Sequence, residues 1–357
     1  MENIFSRLSL SNNINIKIDS NKYDHIIKIS YKSDFPLIET FLNKEDLGNE
    51  VGKNYSLNVL YTGGIKTYVK NSSSSNGYTT DIGWGCMIRS SQTLLANALH
   101  MLYTRNYKND NKFIDICTLF KDDYCYPFSI HNITTVGKSK YNVNIGDWFG
   151  PSVASQCLQT IIRSSENQFF NSLINECLVS IDSGTIYEDE FEKAIQKKNS
   201  NNKESSVLVL LCVRLGIENI NEEYYESLLD LFHKKFVDKE NNFAFVGIAG
   251  GKPFKSLYFF DGDEEKNLIY ADPHYVTNYT TIENDDKELL FDFKDNQKLN
   301  NTTVPELDPS MCIGFTIKNN TGLQNLKALL KNNKIITFGN KSKELAMLQN
   351  LVMDDFI

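Results

Sequence analysis

Residues 79–92 read TTDIGWGCMIRSSQ. A thiol, Cys86, stands between a short Gly-Trp-Gly segment and a run in which Ile88, Leu95, Leu99 and Leu102 recur at helical spacing. That spacing predicts a helix beginning near Cys86, which places the sulfur at a helix N-terminus. Unpaired backbone N–H groups and the helix dipole favour a thiolate there, and a neighbouring imidazolium would favour it further.

The chain offers five histidines as possible neighbours. His25 lies in the polar stretch KYDHIIK, His100 well down the predicted Cys86 helix, His131 in an irregular polar loop and His233 on a charged helix face. His274 differs, because it closes the apolar run LIYAD within YADPHY. In an extended chain residues i and i+2 share a face, so Asp272 and His274 project together while Pro273 stiffens the link. A carboxylate so placed holds an imidazole in one tautomer and favours its protonated form. Neither segment is decisive alone. Cysteine is among the most buried residue types, and Asp-Pro-His also reads as a plain turn.

The remaining sequence limits the classes open to it. With 357 residues the chain fits one large or two modest domains at about 150 residues each. Hydrophobic residues make up 41% and charged residues 23%, which suits a folded globular chain and not a disordered one. A net charge of −8 lacks the basic footprint of a nucleic-acid binder. The start, MENIFSRLSL, has no apolar signal core, and no stretch reaches the ~20 apolar residues of a membrane span. The seven cysteines are odd in number and scattered, which fits reduced thiols and a cytoplasmic location. None forms a CxxC pair or stands at zinc-ligand spacing to a histidine, so a structural metal site is not expected.

Residues 1–20 read as a flexible tail, and NSSSSNG (71–77) as a low-complexity loop. Helices are predicted after Pro151 and over 222–236, 322–332 and 342–352. Strands are predicted over 207–216, 243–251, 257–260, 268–272 and 311–317. Helices at the front and a mainly antiparallel sheet at the back give an α+β fold.

DIGWGCMIRSSQ resembles the nucleophile segment of the autophagins, the autophagy-related cysteine endopeptidases that process ubiquitin-like modifiers. Four further segments resemble the same family in the same order: YKSDFPLI (31–38), GDWFGPSVASQCL (146–158), GIAGGKPFKSLYFFDGDEEKNLIYADPH (247–274) and LDPSMCIGF (307–315). The resemblance implies a papain-like cysteine protease fold over 21–357, with a small inserted helical subdomain near 105–200. It implies Cys86 as nucleophile, His274 as general acid/base, Asp272 as its orienter and Tyr31 as a donor to the oxyanion. Trp148 matches the family tryptophan that covers the cysteine, and Gly250, Gly251 and Pro253 match the loop that gates the cleft with it. An indole against such a loop leaves a slot that admits a glycine backbone and excludes side chains.

The implied reaction is cleavage of a ubiquitin-like autophagy modifier after its C-terminal glycine, and this thiol chemistry needs no cofactor. It would both mature the precursor and release the modifier from phosphatidylethanolamine, by a cytoplasmic monomer touching membrane only transiently. A papain-like deubiquitinase and a catalytically silent modifier-binding protein are the alternatives. Phe5-Ser-Arg-Leu8 has the aromatic-x-x-aliphatic form of a modifier-docking motif; Phe35-Pro-Leu-Ile38 has it too but fits a folded core better. The connection between Ile38 and Asp81 is longer than in close relatives. Ser90 and Ser91 stand where some relatives carry a cysteine and a glycine, so redox control through that neighbouring thiol is not expected.

Overall fold

Along SVLVLLCVR (206–214), Val207, Val209, Leu211 and Val213 point one way while Leu208, Leu210 and Cys212 point the other. Both faces are apolar, so such a strand must be covered on both sides. The computed structural model describes residues 26–39, 77–106, 113–181, 183–197, 205–233, 240, 242–252, 255–278 and 300–345. The first half holds β1 (Tyr31–Ser33), β2 (Ile38–Glu39), β3 (Gly77–Tyr78), α1 (Cys86–Asn106), α2 (Phe113–Thr118), α3 (Ile130–Tyr141), α4 (Pro151–Ser164), α5 (Gln168–Leu173), β4 (Ile174–Ile181), β5 (Thr185–Tyr187) and α6 (Glu188–Gln196). The second half holds β6 (Ser206–Arg214), α7 (Tyr225–His233), β7 (Phe243–Lys252), β8 (Lys255–Gly262), β9 (Leu268–Ala271), β10 (Val276–Asn278), β11 (Asn300–Thr302), β12 (Ser310–Ile317), α8 (Asn320–Leu329) and β13 (Thr337–Gly339).

A seven-stranded sheet in the order β11-β9-β8-β7-β12-β6-β4 forms the middle layer, antiparallel except for the parallel β4–β6 pair. Leu208, Leu210 and Cys212 join α1, α3 and α4 in one core, and Val207, Val209, Leu211 and Val213 join α7 and α8 in the other. The odd and even positions of one strand therefore build two separate interiors. Gly314 of β12 lets α1 settle on the sheet: a Cβ there would lie 2.9 Å from Leu94 Cδ2. The α+β expectation holds, with helices on both faces of the sheet.

Among the elements that the sequence reading did not predict, two lie against the central core. β4, within the stretch 105–200, joins the central sheet. Its alternation is interrupted by Glu176, a buried carboxylate satisfied by Arg163 at 2.6 Å and Lys197 at 3.2 Å. Residues 130–141, expected as a polar loop around His131, form helix α3 with Ser129 as its N-cap. Its polar face is buried because its hydroxyls bond back to the helix, Thr134 Oγ1 to Ile130 O at 2.7 Å and Thr135 Oγ1 to His131 O at 2.8 Å. The helix predicted over 222–236 begins as a single 3₁₀ turn and continues as α7 to His233. The tail over 1–20, the motif Phe5–Leu8 and nearly all of the 71–77 loop lie outside the described residues.

Helix α1 is the middle of the molecule, buried on every side over its first four turns. A helix immersed in this way must satisfy its polar side chains internally. Arg89, with no exposed surface, does so by binding Asp81 Oδ2 at 2.7 Å through Nε and Asp122 Oδ2 at 2.8 Å through Nη2. Asn97 binds the backbone of Ile27 in both directions, each at 2.8 Å, and Thr93 Oγ1 takes the Ile29 N–H at 3.0 Å. These bonds fasten the segment leading into β1 along the side of α1. Arg89→Met would leave two buried carboxylates without their cation. It should lower the unfolding free energy by about 3–5 kcal/mol. The check is a lower urea midpoint at unchanged slope, and a loss below about 1 kcal/mol would contradict a structural role for the triad.

Candidate active site

The opening motif folds into a tight turn that delivers Cys86 as the first residue of α1. The Asp81 carbonyl accepts the N–H groups of Trp84 at 3.2 Å and Gly85 at 2.9 Å. Gly83 has φ +88°, a region few side chains tolerate, and a Cβ on Gly85 would lie 2.5 Å from Asp81 Oδ2. Those two constraints are why glycines flank Trp84. The indole itself is buried and donates Nε1–H to Thr80 O at 3.1 Å.

The other side of the site is built by β8, β9 and β1. The turn after β9 presents Asp272 and His274, and Asp272 Oδ1 accepts both the backbone N–H of His274 at 3.0 Å and ring Nδ1 at 2.6 Å. With Nδ1 engaged by the carboxylate, the ring lies within interaction range of the Cys86 side chain. Tyr31 N–H donates to Pro273 O at 2.8 Å, and β1 runs parallel to β10 with Tyr31 opposite Val276. Lys32 N–H is held by Asp81 Oδ1 at 2.7 Å. β1 thus braces the histidine turn against the cysteine turn. The Tyr31 ring stands edge-on to the His274 ring at 5.2 Å, and its hydroxyl lies near the Cys86 side chain and the Gly83 N–H.

Electrostatics follow from these contacts. Burial pushes the Cys86 thiol up, but hydrogen bonds from His274, the Ser256 backbone N–H and Tyr31, with the His274 charge, outweigh it, so the thiol lies below its ordinary value. Burial pulls His274 down, yet its bonds to Asp272 and Cys86 raise it to about 9. Asp272, despite burial, is held well below the usual carboxylate range by His274 and Lys255. Tyr31 is raised by burial and by the nearby Cys86 and Asp81, which keeps its hydroxyl a donor. Both shifts favour the thiolate–imidazolium form of the pair over the neutral one.

A cleft of about 450 Å³ adjoins the pair, lined among others by Gly83, Met87, Trp148, Gly250, Gly251 and Lys255. Trp148 is 55% exposed, whereas Phe149 beside it is fully buried, so the chain anchors the phenyl ring and leaves the indole over the cleft. Gly250 and Gly251 also serve the sheet. A Cβ on Gly250 would lie 2.7 Å from Met311 Cβ, and one on Gly251 would run into the Lys255 carbonyl.

Cys86, His274, Asp272 and Tyr31 thus converge, and Trp148, Gly250 and Gly251 line a cleft with Met87, Lys255 and Ser256, which neighbour the pair. Pro253 lies outside the described residues. His131, a buried residue of α3, bonds Pro36 O at 2.6 Å and takes no part. Sequence reading missed Asp81, Arg89, Lys255 and the Ser256 amide. An acid and a base flanking the apolar GWGCMI could have flagged the first two, since unpaired charges are rarely buried. Nothing in the sequence marked Lys255.

A thiol beside an imidazole that a carboxylate holds, on an α+β scaffold, is the arrangement of the papain-like thiol hydrolases. Residues 17–329 match the peptidase C54 catalytic domain, and the chain belongs to that family, the autophagins. It is 36% identical over 269 residues to the cysteine protease ATG4 of Kluyveromyces marxianus, a match covering 74% of this chain and 55% of that protein. To the cysteine protease ATG4 of Saccharomyces cerevisiae it is 34% identical over 291 residues, covering 79% and 54%, and to that of Candida albicans 36% over 266 residues, covering 73% and 54%. The matched region spans about half the length of these relatives.

If Cys86 and His274 form an ion pair, iodoacetamide should alkylate Cys86 at a pH where ordinary thiols are still protonated. The anionic reagent iodoacetate, drawn by the imidazolium, should lose rate as pH rises through about 9. Asp272→Asn removes the charge that raises His274 and should bring that fall to lower pH. A rate that only climbs with pH would mean that no imidazolium stands beside the sulfur.

Proposed function

We propose that the protein is a cysteine endopeptidase of autophagy that cleaves a ubiquitin-like modifier after its C-terminal glycine. The observation that carries this reading is the convergence of Cys86 with the hydrogen-bonded His274–Asp272 pair near a cleft lined by an exposed tryptophan. Family membership supports it.

In this reading the Cys86 thiolate attacks the glycine carbonyl, forming a C–S bond while the carbonyl oxygen takes the electron pair. Tyr31 O–H and the Cys86 backbone N–H stabilise that oxygen. His274 passes its proton to the leaving nitrogen and the C–N bond breaks, leaving a thioester. Water, deprotonated by His274, then releases the glycine carboxylate and restores the thiolate. The same chemistry serves two amines: a peptide nitrogen when a precursor is matured, and the amine of phosphatidylethanolamine when the modifier is freed from a membrane. A slot between Trp148 and the end of strand β7 at Gly250 and Gly251 selects glycine by excluding side chains. The helices near 105–200 are proposed as a subdomain inserted into the papain-like domain of 21–357. The protein is proposed to act as a cytoplasmic monomer that meets membrane only through its substrate, and residues 1–20 are proposed as a tail whose Phe5–Leu8 docks the modifier. Two rival readings, a deubiquitinase and a silent modifier-binding protein, make different predictions in the same assays.

Cys86→Ala should abolish cleavage of the modifier precursor while retaining fold and binding, as followed by gel shift and thermal unfolding. Turnover in that variant removes Cys86 as nucleophile, and faster cleavage of ubiquitin than of the autophagy modifier replaces the substrate. Absence of cleavage together with Cys86 alkylation no faster than that of the other thiols favours the silent reading. Tyr31→Phe should lower kcat by on the order of 10²-fold with little change in KM. A drop confined to KM would assign Tyr31 to binding instead.

A further inference from the structure

Lys255, at the start of β8, is 40% exposed and lines the cleft beside Trp148 and Gly251. Its Nζ reaches Asp272 Oδ2 at 2.6 Å, while His274 occupies Oδ1 at 2.6 Å. One buried carboxylate therefore carries a cation on each oxygen and cannot rotate without breaking one of them. The neighbouring residue, Ser256, offers its backbone N–H to Cys86. A single strand start thus touches both ends of the thiol–imidazole–carboxylate line. Other groups around Asp272 and His274 are Cys86 from α1, Tyr31 from β1, Tyr270 from β9 and Lys28. Lys28 feels Asp272 and stacks its Nζ 4.3 Å above the Tyr275 ring. Lys255 is the cation in ion-pair contact with the carboxylate.

We infer that Lys255 is a positioning residue for this reaction: it fixes the Asp272 carboxylate in the plane that orients His274 and tempers the basicity which that carboxylate imparts to the imidazole. The inference rests on the peptidase reading above. Two effects follow. An ammonium on the second oxygen draws negative charge away from His274, which keeps the imidazolium a stronger acid toward the leaving amine. It also holds the ring aimed at the sulfur, and small losses of aim are costly in rate. Because Lys255 lines the cleft, a substrate that covers it strips its water and strengthens the contact during turnover.

The test compares wild type with Lys255→Met, Lys255→Gln and Lys255→Arg, using iodoacetate alkylation of Cys86 across pH and cleavage of the modifier precursor. Lys255→Met should move the alkaline fall of the alkylation rate up by roughly half a pH unit, a size limited by the exposure of the lysine. Its kcat should drop about three- to tenfold with KM within about twofold. Lys255→Gln, which keeps a hydrogen-bond donor, should show the pH displacement with a smaller loss of kcat, and Lys255→Arg should restore both. A purely structural lysine would alter thermal unfolding and leave the pH position unmoved. An unmoved alkaline fall in both neutral variants, or a loss confined to KM, overturns the inference while leaving the Cys86–His274 pair intact. A wild-type rate with no alkaline fall removes the pair itself, and this inference with it.

Discussion

The structure depends on a guanidinium that never meets water. Arg89 lies inside the sheet-covering layer with Asp81 on one side and Asp122 on the other, both in hydrogen-bond contact and both buried. Two carboxylates surround one cation, and each also takes a backbone N–H through its Oδ1. Asp81 Oδ1 takes Lys32 N–H at 2.7 Å, and Asp122 Oδ1 takes Arg89 Nη1 at 2.9 Å and Ile130 N–H at 3.4 Å. Through these bonds the loop before α1, the loop before α3 and strand β1 share one anchor. Breaking one partner of such a cluster is far more damaging than replacing all of it with apolar groups. The arrangement therefore fixes geometry more than it adds stability.

That anchor explains how a sulfur and an imidazole separated by most of the chain come to touch. Asp81 caps the turn that presents Cys86 and holds the backbone of Lys32. Lys32 follows Tyr31, whose N–H is bound to Pro273 O, and Pro273 lies between Asp272 and His274. A run of short backbone contacts thus carries the position of α1 to the histidine turn without a flexible joint. Preorganisation of this kind matters for chemistry in which donors must already face the developing charge. The Gly83 amide on the Tyr31 hydroxyl and the Ser256 amide on the Cys86 sulfur are two such donors supplied by backbone.

The sequence was most readable where periodicity and local spacing coincide. β6, β7, β8, β9 and β12 appear as runs of apolar residues, and α1 as a helical repeat that begins at Cys86. The Asp272–His274 pair was visible from its two-residue offset, although the two meet through a turn closed by Asp272 Oδ1 and not through the extended chain that suggested them. What stayed hidden was hidden for physical reasons. β4 carries a buried glutamate that reads as surface until its two cationic partners are known. α3 buries threonine, asparagine and histidine, whose polarity imitates a loop until the threonine bonds back to the helix and the bonds of Asn132 to Tyr124 O and Tyr126 O and of His131 to Pro36 O are counted. Lys255 resembles any solvated lysine near a strand end. Only the tertiary approach of β8 to the turn after β9 gives it a partner.

Among the thiols with a clear direction of shift, Cys86 alone moves downward, and burial does not separate it from the others. Cys86 is as enclosed as Cys157 or Cys312. Burial drives Cys117 up to about 12 and raises Cys157 and Cys177 further, with only distant or weak charges to oppose it. Cys312 goes the same way, its neighbour across the β6–β12 ladder being another sulfur, Cys212. At Cys86 the desolvation is equally real, but an imidazolium, a phenol and a strand amide all point at the sulfur. A low-dielectric surround strengthens each of those contacts once they exist. The same burial that silences the other thiols therefore sharpens the one at the head of α1, and selectivity arises from donors aimed by the fold instead of from exposure to solvent.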